Sequence, residues 1–316
     1  MISLDRILES HKKISPYINH TPLLTSDLLS QNRTVKLKLE SLQKTGSFKL
    51  RGATNKLLSL TNDEKQKGVI AVSTGNHGKG VAFASSKLGI KSTIYMSKMV
   101  PQYRKEAIEA LGANVEIYGS NSDEADMYAR EISNKNNIPF IHPFDDEDVI
   151  AGQGTVGIEM LNDFPEVDTV IIPTSGGGLI GGIALALKLQ KPDIKVIAVS
   201  MERGPSMYES LKHGKPVDVE ELETLADCLG GSIGLENKYT FDIAQKTIDD
   251  FILVSEEKIA EGIRLNFHEH RLVTEGAAAT SVIVAKDNLS KHLGKNIICL
   301  ICGGNIDTEL FSKLIL

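Results

Sequence analysis

The stretch "VIIPTSGGGLIGGIALAL", residues 170–187, runs from a solid β-branched segment through a Ser-Gly-Gly-Gly turn into a long apolar segment. An apolar run without polar alternation suits a strand covered on both faces, and a glycine turn leading into a helix is one half of a βαβ unit. The same alternation recurs outward along the chain. "VKLKLE" (35–40), "GVIAVS" (68–73), "STIYMS" (92–97), "NVEIYG" (114–119), "TVIIPT" (169–174), "KVIAVS" (195–200) and "IICLIC" (297–302) read as strands. Helical periodicity marks 48–60, 77–88, 102–111, 123–134, 150–162, 178–190, 206–212, 239–247, 256–269 and 276–286. The pattern predicts an α/β fold with mostly parallel sheets and helices on their faces. The block 68–145, with three strands each followed by a helix, predicts a small domain inserted into a larger discontinuous one made of 1–67 and 146–316.

Charge excludes some functions. The 316 residues carry 35 basic and 41 acidic side chains, a net charge of −6, with no basic stripe for nucleic acid or an anionic membrane. The expected partners are small molecules and other copies of the chain. The start, "MISLDRILESHKKISPYI", has charges every few residues and no apolar secretory core. "GLIGGIALAL" (178–187) and "NIICLIC" (296–302) fall short of the roughly 18 apolar residues a membrane span needs. Three cysteines, Cys228, Cys299 and Cys302, form no disulfide framework, and an odd count suits the cytoplasm. Cys299 and Cys302 form a C-x-x-C, but in a strand residues three apart face opposite ways, which disfavours a redox or zinc pair.

Four segments carry chemistry. "KTGSFKLRGATNKLL" (44–58) follows a strand and enters a helix, with Ser47 as the expected N-cap and Lys49 in the first turn. The helix dipole there favours the neutral amine, which primes a lysine for imine formation; the alternative is an ordinary surface lysine. "VSTGNHGKGVAFA" (72–84) has a turn at Gly75, Asn76 as expected N-cap and a helix from His77, so its N–H groups suit a carboxylate; the alternative is a plain capped turn. The glycines of 176–178 are the strongest phosphate signal. They also make a G-x-G-x-x-G at Gly176, Gly178 and Gly181, with Glu202 soon after the next strand, so a nicotinamide oxidoreductase competes. "LICGGNID" (300–307) aims Cys302 at the carboxyl edge of the sheet, unless it is a core cysteine.

In this order the segments resemble the fold type II pyridoxal-phosphate (PLP) enzymes, the serine/threonine dehydratase and serine racemase group, whose fold is tryptophan synthase β-like. The resemblance spans essentially the whole chain, including "HPFDDEDVIAGQGTVGIEM" (142–160) and "VTEGAAA" (273–279). It implies two open, twisted sheets and a PLP cofactor bonded to Lys49, with Phe48 packed on it and Asn76 on its phenolic oxygen. It further implies Ser175, Gly176, Gly177, Gly178 and Leu179 around the phosphate, Glu275 near the cofactor, and Cys302 at the pyridine nitrogen. Ser73, Thr74, Asn76 and His77 would surround the substrate carboxylate. The implied activity is that of an ammonia-lyase, α,β-elimination from a β-hydroxy amino acid of the serine/threonine type, in a homodimer. A non-enzymatic PLP or amino-acid binding protein on the same fold is the remaining rival.

Several positions depart from the group's pattern. Thr74 stands where racemases have serine and many dehydratases alanine, which keeps serine racemase open and makes Thr74 a candidate catalytic residue. "TLADCLGGSIGLENKYTF" (224–241) has Cys228 in place of the glycine of an A-D-G run, and looks more like the hydroxyectoine-utilisation and 3-hydroxyaspartate dehydratase branches. Ser175 replaces the usual first glycine. Ser200 and Ser206 occupy the positions of acidic metal ligands in racemases, with only Glu202 nearby, so no metal is assigned. The chain ends ten residues after Ile306, which leaves no room for a regulatory domain and suggests a catabolic or specialised enzyme.

Overall fold

The computed structural model describes residues 2–316. Its strands are β1 (Leu23–Thr25), β2 (Thr34–Leu39), β3 (Val69–Val72), β4 (Ser92–Met96), β5 (Asn114–Ile117), β6 (Thr169–Pro173), β7 (Lys195–Met201), β8 (Asp250–Val254) and β9 (Asn296–Ile301). The helices are α1 (Leu4–Ile14), α2 (Lys49–Ser59), α3 (Asn62–Lys67), α4 (Asn76–Leu88), α5 (Gln102–Glu109), α6 (Ser122–Asn136), α7 (Glu147–Asp163), α8 (Gly178–Lys188), α9 (Ser206–His213), α10 (Thr240–Thr247), α11 (Glu256–His270), α12 (Gly276–Lys286) and α13 (Thr308–Ile315). Two sheets result. A six-stranded sheet has the order β1-β2-β9-β6-β7-β8, and a three-stranded sheet the order β3-β4-β5. Only β1 runs antiparallel to its neighbour.

Burial explains the sequence of the central strands. Val170, Ile171 and Ile172 of β6 and Ile297, Ile298, Cys299 and Leu300 of β9 are fully buried because helices cover both faces. The register places Ile171 beside Cys299, so β6 and β9 end together. Their loops, and the loop after β3, open on one cavity, the usual place for a ligand on a parallel sheet. Helix α2 bridges to the second core, where Leu50 and Leu57 pack with Val81, Ile94, Met96 and Ile108.

Several elements are absent from the sequence reading. Helix α1 buries only Ile7, Ser10 and Ile14, a narrow stripe among charges. Strand β8 is a half-exposed sheet edge and β1 is three residues long. The short α3 starts at a Thr61–Glu64 capping box, and α13 is capped by Asp307. Ser47 does not cap α2. It pairs in an isolated bridge with Gly303, while the N–H of Phe48 donates to Cys302 O at 3.1 Å and Phe48 itself takes the N-cap position. That pairing to the chain beyond β9 turns the Ser47 side chain away from the helix, and its hydroxyl is buried without a partner.

A buried ion network fixes α2. Arg51 donates to both oxygens of Glu40, at 2.8 and 2.7 Å, and to both oxygens of Glu159, at 2.7 and 2.9 Å. Lys38 reaches Glu159 at 2.7 Å and Thr21 O at 2.6 Å. All four charged side chains are essentially inaccessible to water. Two cations face two carboxylates, so the cluster is neutral, and its planar forks meet the strict geometry that burial demands. Burial opposes ionisation of Glu159, but Arg51 and Lys38 outweigh it and hold the carboxyl down at about 2. Its stabilising contribution is therefore full above the ordinary value of 4.5 and is lost as pH falls toward about 2. Arg51→Met leaves Glu40 without a cation, held only by the Thr21 hydroxyl, and Glu159 with Lys38 as its one cation; a loss of about 3–5 kcal/mol is expected in chemical denaturation, and an unchanged midpoint would contradict this account.

Candidate active site

Lys49 is the first residue of α2, and its Nζ enters the cavity between the two sheets. It donates to Pro143 O at 2.7 Å and lies 5.4 Å from the centre of the Phe48 ring. Burial lowers its pKa to about 8, only partly opposed by Cys228, Cys302 and Glu275. A neutral, nucleophilic amine is thus accessible near physiological pH, against 10.5 for an ordinary lysine. The cavity holds about 390 Å³ and is also lined by Ser73, Thr74, Asn76, His77, Ser175, Gly176, Gly177, Gly178, Leu179, Glu275 and Cys302. Every residue that the family resemblance assigned to the site therefore lines one cavity, while Gly181 and Glu202 of the nicotinamide reading do not.

The glycine turn joins β6 to α8. Gly177 has φ +88°, which a residue with a Cβ rarely adopts, and a Cβ on Gly176 would lie 2.4 Å from the Phe144 ring. Among the described residues no backbone carbonyl accepts from the N–H groups of Ser175, Gly176, Gly177, Gly178 or Leu179. Donors left free at a buried helix start, with glycines letting an anion approach, fit a phosphate.

Asn76 corrects the expected cap. Gly75 holds the N-cap position of α4, and the Asn76 amide is used elsewhere. Its Nδ2 donates to both oxygens of Glu275, at 2.9 and 3.0 Å, and lies 3.5 Å from Cys228 Sγ. Its Oδ1 accepts from Asn305 Nδ2 at 2.6 Å, and Asn305 Oδ1 accepts from Lys79. A cap would use Oδ1 as acceptor, and that atom is taken by Asn305 while the charged Glu275 acceptor holds Nδ2, so the side chain is fixed away from the helix N–H groups. Burial raises the Glu275 carboxyl to about 7, with Asn76 opposing. Burial likewise pushes the thiol of Cys302 up, so it is neutral at physiological pH. Cys302 Sγ lies 4.0 Å from Glu275 Oε1. His77 is held neutral, at about 3, by burial and Lys49. Its Nε2 must be the protonated nitrogen, since Ile141 O at 2.9 Å can only accept.

Sequence reasoning missed several lining residues. Phe144, Pro143, Arg104, Asp123, Glu221 and Asp227 reach the cavity from loops and helix ends with no local signature. Phe144 lies in the segment "HPFDDEDV", whose two prolyl and aromatic neighbours gave no hint of contact with a glycine turn 32 positions away.

Comparison with known proteins places this geometry in context. A family model described as pyridoxal-phosphate dependent enzyme matches residues 14–303. The L-threonine ammonia-lyase of Thermotoga maritima is 40% identical, over all of this chain and 78% of its own. Two solved structures superpose closely: the processed form of threonine deaminase isoform 2 from Solanum lycopersicum, with a TM-score of 0.92 and 35% identity over 98% of this chain and 92% of that one, and maize serine racemase, with 0.93 and 29% over 98% and 96%. The family match makes the cofactor pyridoxal phosphate and removes the nicotinamide reading. Since Lys49 sheds its proton near about 8, its labelling by a carbonyl reagent plus reductant is expected to rise with pH through that value, below the range of surface lysines; peptide mapping across a pH series checks this, and a midpoint with the surface lysines would refute it.

Proposed function

Because the chain belongs to the family of pyridoxal-phosphate-dependent enzymes, we infer that it is an ammonia-lyase that eliminates the β-hydroxyl of threonine or serine and releases the nitrogen as ammonia, leaving the 2-oxo acid. The observation that carries this reading is the buried amine of Lys49, facing a phosphate-sized glycine turn across one cavity.

When bound, pyridoxal phosphate supplies the electron sink that makes the α-proton of an amino acid removable. The free N–H groups of Ser175–Leu179 suit its phosphate, Phe48 the face of its ring, and the neutral Cys302 thiol its ring nitrogen. A thiol leaves that nitrogen without a full proton, which favours prompt elimination. Asn76 would serve the phenolic oxygen by turning one N–H of Nδ2 from Glu275 to it, while Asn305 holds its Oδ1. Ser73, Thr74, Asn76 and His77, around the start of α4, hold the substrate carboxylate. Lys49 Nζ takes the proton from the substrate's α-carbon as general base, a role suited to an amine of pKa about 8. Phe48 and Phe144 give the cavity two apolar walls.

Racemisation is the second reading. Thr74 brings a hydroxyl to the cavity, where it could return a proton to the α-carbon from another side than Lys49, and the similarity to maize serine racemase supports asking. The segment 68–145, which carries β3, β4 and β5, we read as a small domain inserted into a larger one formed by 1–67 and 146–316. Three free cysteines support a cytoplasmic location, and the family resemblance supports a homodimer.

Purified protein is expected to show a visible imine band that borohydride fixes on Lys49, and Lys49→Ala is expected to lose the band and at least about 10³ of the ammonia release from threonine. Ammonia release unchanged by that substitution would overturn the mechanism. Gly176→Val places side-chain atoms into the Phe144 ring; loss of the cofactor with far-ultraviolet circular dichroism retained is the expected result, and a full complement of cofactor would show that the turn is not its cradle.

A further inference from the structure

Four charged side chains line the outer part of the cavity: Arg104 of α5, Asp123 of α6, and Glu221 and Asp227 from the segment between α9 and α10. A guanidinium in a substrate cavity is the group that would take a second carboxylate, through its fork of N–H donors. Here two of its five donors are engaged, one of them by a carboxylate. Arg104 Nη2 donates to Asp227 Oδ2 at 3.1 Å and Arg104 Nε to Tyr103 OH at 3.3 Å. Among the described residues Asp123 and Glu221 enter no ion pair, so the one cation is matched and two carboxylates are not. A substrate bringing its own distal carboxylate meets an occupied cation and two like charges.

We propose that Asp227 is a specificity-determining residue: by masking Arg104 it makes the cavity accept amino acids with uncharged side chains and reject those with a second carboxylate. The proposal rests on the lyase reading and narrows its substrate class to serine- and threonine-like molecules, away from 3-hydroxyaspartate. Repulsion by Asp123 and Glu221 acts in the same direction, since charges in a narrow mouth are focused by its low-dielectric walls.

L-Asparagine and L-aspartate form the sharpest probe, since they are nearly isosteric and differ in charge. Each is titrated into the holoenzyme while the cofactor's visible spectrum reports binding. Asparagine is expected to bind at least about tenfold more tightly than aspartate. Asp227→Asn is expected to shrink that ratio by unmasking Arg104, and the double variant Asp227→Asn/Arg104→Gln to restore it. Glu221→Gln, at an exposed position, is expected to shift the ratio in the same direction by a smaller amount, and serves if Asp227→Asn does not fold. Aspartate binding as tightly as asparagine to the unsubstituted enzyme, or a ratio that neither single substitution moves, overturns the proposal. Ammonia release from threonine and serine is measured in parallel: its absence removes the lyase reading, while the asparagine-to-aspartate ratio still decides the charge selection.

Discussion

The fork of Arg51 between Glu40 and Glu159 is the constraint on which the rest of the site depends. Two residues after Lys49 on the same helix, it joins β2, the turn that follows β2, α2 and α7 through hydrogen bonds that tolerate little displacement. A buried guanidinium surrounded by oxygens at 2.7–2.9 Å cannot rotate or shift without leaving a charge unpaired in a dry interior. The register of α2 is thereby fixed, and with it the point where Lys49 enters the cavity. Apolar packing of Leu50 and Leu57 alone would allow small rotations of the helix; the ionic fork removes that freedom.

Once α2 is placed, the electrostatics of the site follow from burial and from a few specific partners. Lys49 loses affinity for its proton because the cavity wall excludes water, and the same exclusion pushes Glu275 up to about 7 and keeps the Cys302 thiol neutral. Near neutral pH the interior therefore holds a Lys49 amine ready to shed its proton and a partly ionised Glu275. Beyond them lie the glycine turn, whose backbone N–H groups have no carbonyl partner among the described residues, and the outer rim, where carboxylates outnumber the one guanidinium. Unpartnered N–H groups at one end suit an anion, and the excess of carboxylates at the other disfavours one.

Much of this was legible in the sequence because the signals are local. The apolar run 170–174 with its glycine turn identified a buried parallel strand feeding a helix, since only a strand covered on both faces needs so many β-branched residues in succession. The order of "SFKLRGA", "STGNH", "SGGGL" and "CGGN" was enough to expect a lysine, an amide, a glycine turn and a thiol together, and the four do line one cavity. Weak spots were equally physical. Asn76 looked like a helix cap because capping is what a short amide at such a position does locally, yet a buried carboxylate 199 positions away claimed it. Ser47 looked like a cap for the same reason and was drawn off by a bridge to Gly303.

The sequence by itself determined the α/β class, the family and the identity of the amine, because these are written in periodicity and in short motifs whose geometry is set within a few residues. Tertiary structure alone decided what surrounds that amine: the pairing of Arg51 with Glu40 and Glu159, the reach of Phe144 to the glycine turn, and the meeting of Arg104 with Asp227. These contacts join residues 11 to 123 positions apart. Their strength comes from removing charged and aromatic groups from water together, and no local pattern of residues encodes which distant partner will share that burial.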